Sequence, residues 1–299
     1  MKMWQKAKVF LLRKIDRYTG RKKWKGHCPQ VAFKDLQATT TSGNLGLRVY
    51  YGDNNSDQPL IIYFHGGGWV LGDLESYHPF CKSLCQRSTC TVVAVDYRLA
   101  PEHPFPAAQD DCLAITHWVA AHIDELGRSN GKIVLAGDSA GGHLATVTCL
   151  ALDPEIRRHV AGQVIIYPVT DHYESAFPSY TEKARVANLT SSMMRWFWDS
   201  YLASSHSISQ FEAAMPLRAS NLSSLPATLL VTAENDPLRD EGIAYADKLR
   251  NAGVAVQYRH FNHAAHGFAC SEGPTADFED FMNDLVQWLH DLEMESALP

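Results

Sequence analysis

Apolar positions along the chain fall into short unbroken runs that alternate with stretches of helical period. Leu60-Ile-Ile-Tyr-Phe64 and Thr91-Val-Val-Ala-Val95 are continuous apolar runs, the pattern of strands covered on both faces. Lys132–Ala136, Val160–Val169, Ala227–Thr232 and Val254–Phe261 also read as strands, and Val31–Thr41 with Leu47–Tyr51 form an opening pair of strands. Between and after them, Tyr77–Ser88, Ala107–Leu126, Ala140–Leu152, Asp240–Ala252 and Asp277–Leu292 carry apolar residues at helical spacing. This alternation predicts the α/β class, with a mostly parallel central sheet and helices on both faces.

Two stretches break the rhythm. Residues 170–225 are aromatic and polar (Tyr173, Phe177, Tyr180, Trp196, Phe197, Trp198, Tyr201) and too long for a simple connection. They predict a helical cap over the carboxyl edge of the sheet, where open α/β sheets bind ligands. The first 25 residues carry ten Lys or Arg against a single acid, Asp16, a local charge of +9 in a chain whose net charge is −6. Trp4, Ala7, Leu11, Ile15 and Tyr18 recur at steps of three or four. That pattern predicts an amphipathic helix docked by its apolar side with a solvated basic face, in preference to one attached to an anionic membrane. The apolar run Val9–Leu12 is too short for a secretory signal.

Composition narrows the class. With 45% hydrophobic and 20% charged residues over 299 positions, the chain is globular with a sizeable core, which excludes disorder, collagen repeats and coiled coil. No apolar run is long enough to span a membrane. The acidic balance argues against nucleic acid as a partner. Seven cysteines, an odd and scattered set, point to reduced thiols in a cytoplasm rather than a disulfide framework. Cys81 and Cys85 would share a helix face, but no His or acid near them completes a metal site.

The chemistry concentrates at strand ends. Gly137-Asp-Ser-Ala-Gly141 fits G-x-S-x-G where a strand meets a helix, the context of a sharp turn that exposes a serine hydroxyl above the sheet. His65-Gly-Gly-Gly-Trp69 follows the strand Leu60–Phe64 and leaves backbone N–H groups free to point at a developing oxyanion. Its donors would be Gly67, Gly68 and, beyond the serine, Ala140. A serine nucleophile needs a base and an orienting acid, in the chain order Ser, acid, His. The acid should follow the strand Ala227–Thr232, which leaves Glu234, Asp236 or Asp240. The base should follow the last strand. Of His260, His263 and His266, the last stands in His-Gly-Phe beyond the strand end, whereas His260 lies within the strand pattern and reads as structural.

Five motifs occur in order: HGGGW at His65–Trp69, the run Asp96–Pro106, GDSAGG at Gly137–Gly142, DPLRDEG at Asp236–Gly242, and HGF at His266–Phe268. Together they resemble the hormone-sensitive-lipase-like carboxylesterases of the α/β-hydrolase fold, from about residue 45 to 292. The resemblance implies Ser139 as nucleophile, Asp236 as acid and His266 as base, with Asp240 as the fallback acid. It further implies one α/β-hydrolase domain over 1–299 whose cap combines 1–30 with 170–225, and a pocket lined by Trp69 and cap aromatics. Arg98 and Glu102 would brace loops by ion pairing. The implied reaction is hydrolysis of short-to-medium acyl esters through an acyl-enzyme, with no metal or organic cofactor. The same machinery would serve an amidase, a deacetylase or a lipase, and the scaffold also serves non-catalytic ligand binding. The expected partner is a small-molecule ester, and the fold leaves room for a homodimer.

Overall fold

The computed structural model of the chain describes residues 3–296 apart from 54–57, 128, 186–187 and 204–207. Its centre is an eight-stranded sheet in the order β1-β2-β4-β3-β5-β6-β7-β8. The strands are β1 (Phe33–Thr40), β2 (Gly43–Tyr50), β3 (Leu60–Phe64), β4 (Val92–Asp96), β5 (Ile133–Asp138), β6 (Val160–Ile166), β7 (Ala227–Asn235) and β8 (Val256–Ala265). The β1–β2 hairpin is antiparallel and joins β4 antiparallel, while every pairing from β4 to β8 is parallel. The two central strands β3 and β5 are buried at every residue.

That burial explains why these runs lack a polar alternation. Leu60, Ile62, Phe64 and Leu135 join one apolar layer, with Leu144 and Tyr245 from helices α4 (Ala140–Ala151) and α8 (Arg239–Asn251). Ile61, Tyr63 and Val134, their neighbours in sequence, point to the opposite layer, with Phe80 from α2 (His78–Ser88) and Phe281 from α9 (Ala276–Ser296). A strand with helices on both sides needs apolar residues at successive positions. Helix α3 (Ala107–Ala121) adds Ile115 to the first layer, and the short α5 (Pro154–Arg157) leads into β6. Among the described residues no helix is long and apolar enough to cross a membrane.

Above the carboxyl edge lie two segments. Residues 170–225 contain α6 (Ser179–Glu182) and α7 (Ser191–Tyr201), with 3-10 segments at Tyr173–Ser175, Ile208–Ala214 and Pro216–Arg218. Thr190 caps α7 by accepting from the Met193 amide at 3.1 Å, and the helix buries Met194, Phe197, Trp198 and Tyr201. The second segment is α1 (Met3–Lys23), anchored by Trp24, which is 2% exposed and packs edge-on to Phe278 at 5.2 Å.

The docking face of α1 is the reverse of the one its hydrophobic spacing predicts. Leu11, Ile15 and Tyr18 face outward, while the arginines face the protein; the side chain of Trp4 lies outside the described residues. Arg13 donates to the carbonyls of Val70 and Ala100 at 2.8 and 2.9 Å and pairs with Glu102 at 2.8 Å. Arg17 pairs with Asp73 at 2.7 Å, and Arg21 with Glu75. A helix that docks onto carboxylates and carbonyls turns its charged stripe inward, and periodicity alone does not distinguish that case. Glu102 braces a loop by ion pairing, as expected, with α1 as its partner; Arg98 does so through Asp111 at 2.6 Å.

Candidate active site

The strands deliver three side chains to one place. Ser139 sits on the turn between β5 and α4 with φ of 53° and ψ of −119°. A non-glycine residue there is strained and persists only where its surroundings hold it. Its amide donates to the Ile166 carbonyl at 2.8 Å, and its own carbonyl accepts from His143 at 3.0 Å. The turn packs so closely on β3 that a Cβ at Gly141 would overlap the Phe64 carbonyl oxygen, which accounts for the glycine. Asp236 follows β7 and His266 follows β8 directly.

His266 bridges the other two residues. Its Nε2 lies 3.0 Å from Ser139 Oγ and its Nδ1 lies 2.7 Å from Asp236 Oδ2. The ionised carboxylate accepts only, so the Nδ1 proton is assigned to that contact, which leaves Nε2 to accept from the serine. Asp236 is fully buried, and its other oxygen accepts from the Leu238 amide at 2.9 Å. The imidazole also lies against the Tyr167 ring at 4.7 Å, and its backbone carbonyl accepts from Asn188 at 2.9 Å. Asp240, Glu234 and His260 are engaged elsewhere, and His263 is exposed. Asp240 accepts from the Ser179 amide at 2.8 Å and from Arg239 at 2.7 Å. Glu234 pairs with Lys183 and Arg239, each at 2.9 Å. His260 contacts Thr232 at 2.9 Å and Glu234 at 3.2 Å within the sheet, in keeping with a structural role.

Ser139 and His266 open into a cavity of about 210 Å³ that also takes in Gly67 and Gly68. Leu189, Met193 and Phe197 form its apolar wall, and Asp16, Thr19 and Gly20 of α1 form another. Gly68 has φ of +60°, and a Cβ there would overlap the Phe197 ring, so glycine is required on both counts. Ala140 is fully buried as the first residue of α4. Trp69 stands apart from this cavity. It is 0% exposed, stacks on Tyr201 at 4.3 Å and donates its indole N–H to His143 Nδ1 at 3.1 Å. A larger depression of about 790 Å³, between the β1–β2 hairpin and α3, contains none of these residues.

Sequence reasoning missed Asp138, the residue before the serine. It is buried at the end of β5, where Tyr63 and Tyr77 donate to it at 2.7 and 2.9 Å and the Gly66 amide at 2.9 Å. Burial raises its carboxyl pKa, opposed by the hydrogen bonds from the two tyrosines. It ties the glycine-rich loop to the serine turn. The signal was available, since an acid at the end of a strand covered on both faces must be satisfied by buried donors.

A family model described as the α/β-hydrolase fold matches residues 61–270. Esterase LipI of Mycobacterium tuberculosis is 37% identical over 248 residues, covering 80% of this chain and 76% of LipI. Carboxylic ester hydrolase LipN of the same organism is 38% identical over 245 residues; the alignment covers 78% of this chain but only 63% of LipN's length. Among solved structures, the hyperthermophilic esterase of Pyrobaculum calidifontis superposes with a TM-score of 0.88 at 35% identity, covering 95% of this chain and 94% of that one.

Proposed function

The chain belongs to the α/β-hydrolase family of carboxylic ester hydrolases, and from that premise we propose that it is a serine carboxylesterase acting through Ser139, His266 and Asp236. The observation that carries the proposal is the pair of contacts made by His266, 3.0 Å to the Ser139 hydroxyl and 2.7 Å to the Asp236 carboxylate. Ser139 Oγ attacks the ester carbonyl while its proton passes to His266 Nε2. Asp236 keeps the imidazole in the tautomer that accepts it and stabilises the imidazolium that forms. The amides of Gly67, Gly68 and Ala140 stabilise the tetrahedral oxyanion. Collapse breaks the bond to the leaving oxygen, which takes the proton from His266 and departs as the alcohol. Water then attacks the acyl-enzyme with His266 again as base, releasing the acid and restoring the serine.

Access and compartment complete the reading. Residues 1–30 and 170–225 act as a cap on a single α/β-hydrolase domain. A cavity of about 210 Å³ is below the roughly 300–1,000 Å³ of sites for drug-sized ligands, which favours short acyl chains. Among the described residues no cysteine forms a disulfide, which supports a reducing, cytoplasmic setting.

Hydrolysis of p-nitrophenyl esters from two to sixteen carbons, with Ser139→Ala as control, tests the proposal. Activity should peak at short chains and fall by roughly 10⁴–10⁶ in the variant, the scale of triad knockouts. A folded Ser139→Ala protein with full activity would sink the assignment. A peak at long chains would replace the short-chain reading with a lipase, and anilide hydrolysis without ester hydrolysis would replace it with an amidase.

A further inference from the structure

The outward face of α1 is a part of the surface that the chemistry above leaves unused. Phe10, Leu11, Ile15 and Tyr18 are 60%, 58%, 49% and 67% exposed. Leu11, Ile15 and Tyr18 stand at i, i+4 and i+7 and so form one stripe. Lys14 and Lys22 are exposed beside it, with the Lys14 ammonium 4.5 Å from the Phe10 ring centroid. The acids that meet this helix, Glu102, Asp73 and Glu75, pair with Arg13, Arg17 and Arg21. The lysines therefore add their charge to the outward side.

We propose that this face seats the protein on an anionic lipid surface. Leu11, Ile15 and Tyr18 enter the headgroup boundary, and Lys14 and Lys22 meet the lipid phosphates. An apolar stripe interleaved with lysines matches a surface that is anionic at its face and apolar just beneath it. A second copy of the chain fits less well. A two-fold contact would set one +9 segment against another, and a contact of α1 with acidic surface elsewhere on a copy would not close on itself. The same helix lines the cavity through Asp16, Thr19 and Gly20, so a bilayer bound here lies beside the site. The surface does not depend on which residue is the nucleophile.

The test is flotation of the full-length protein with phosphatidylcholine vesicles, with and without a quarter of phosphatidylglycerol. Binding should require the anionic lipid and fall as salt rises. Lys14→Gln with Lys22→Gln should weaken it about thirtyfold. Leu11→Ser with Ile15→Ser and Tyr18→Ser should abolish it while hydrolysis of a water-soluble short ester stays unchanged. Absence of binding by the intact protein, equal binding to neutral vesicles, or binding retained in the triple serine variant would each overturn the proposal. A dimer that forms without vesicle binding and disappears in the triple variant would assign the face to a second copy instead.

Discussion

The strand ends that carry Ser139, Asp236 and His266 and the helix α1 above them are held by different forces. The strands are fixed by burial on both faces, and each large apolar side chain fully buried contributes about 1.5–3 kcal/mol. Helix α1 buries Val9 and is anchored at its end by Trp24, but along its length it is held through Arg13, Arg17 and Arg21, whose side chains are 27%, 53% and 55% exposed. Exposed pairs of this kind contribute about 0.2–1 kcal/mol each. Ser139, Asp236 and His266 therefore stand on the strongly held part, and the wall of the cavity formed by α1 is the weakly held part. Substitutions in the two should separate, the first changing kcat and the second changing KM.

Gly68→Ala is the sharpest way to break that separation, because Gly68 follows β3 and lines the cavity together with α1. Its added methyl meets Phe197 of α7, and its φ of +60° disfavours a side chain. Activity should fall by about 10²–10³ through kcat, as when one oxyanion donor is displaced. Adding Phe197→Ala should restore part of it if the clash dominates; no recovery would attribute the loss to backbone strain within the loop.

A smaller effect is expected at His143, which joins α4 to the glycine-rich loop and to residues 170–225 by accepting from Trp69 at 3.1 Å and contacting the Ala214 carbonyl at 2.9 Å. Burial lowers its pKa from 6.5 to about 4, against the weaker opposing pull of the Ala214 bond. The unfolded chain then takes this proton first, so the stability present above about pH 6.5 is lost as pH falls toward 4. At full extent the loss is about 3 kcal/mol. Buried Glu241, whose pKa burial raises, acts in the opposite sense. The measurement is therefore the difference in urea unfolding between the parent and His143→Gln from pH 4 to 7. The variant should lose close to one proton of slope; identical slopes would contradict the buried neutral imidazole.

The smallest effect is Arg17→Gln, which removes the pair with Asp73. Stability should change by less than about 1 kcal/mol, with a modest rise in KM and an unchanged kcat. A large fall in kcat would mean that α1 helps set the chemical geometry itself.

The same division decided what the sequence could tell. Strands β3 and β5 were legible to within two residues because continuous apolar runs have one reading in a parallel sheet. The turn at Ser139 and the strand-end position of His266 followed from the motifs standing where strands stop. The choice of Asp236 over Glu234 and Asp240 did not follow from spacing, since all three lie within one turn of the same strand end. The facing of α1 was misread because its docked side is charged, and an apolar stripe is assumed to point inward. Trp69 was expected in the pocket, yet its indole N–H found a buried acceptor in His143. Residues 170–225 were read as a helical cap over the carboxyl edge, but the bounds of α6 and α7 were not legible within them.

The central claim is that Ser139 is the group that becomes acylated. Incubation of the protein with a p-nitrophenyl alkylphosphonate, followed by peptide mass spectrometry, tests it directly. One adduct per chain is expected, on the peptide containing Ser139, with activity lost in proportion to labelling and no adduct in Ser139→Ala. Inactivation with the adduct on another residue, or full labelling with activity intact, would contradict it.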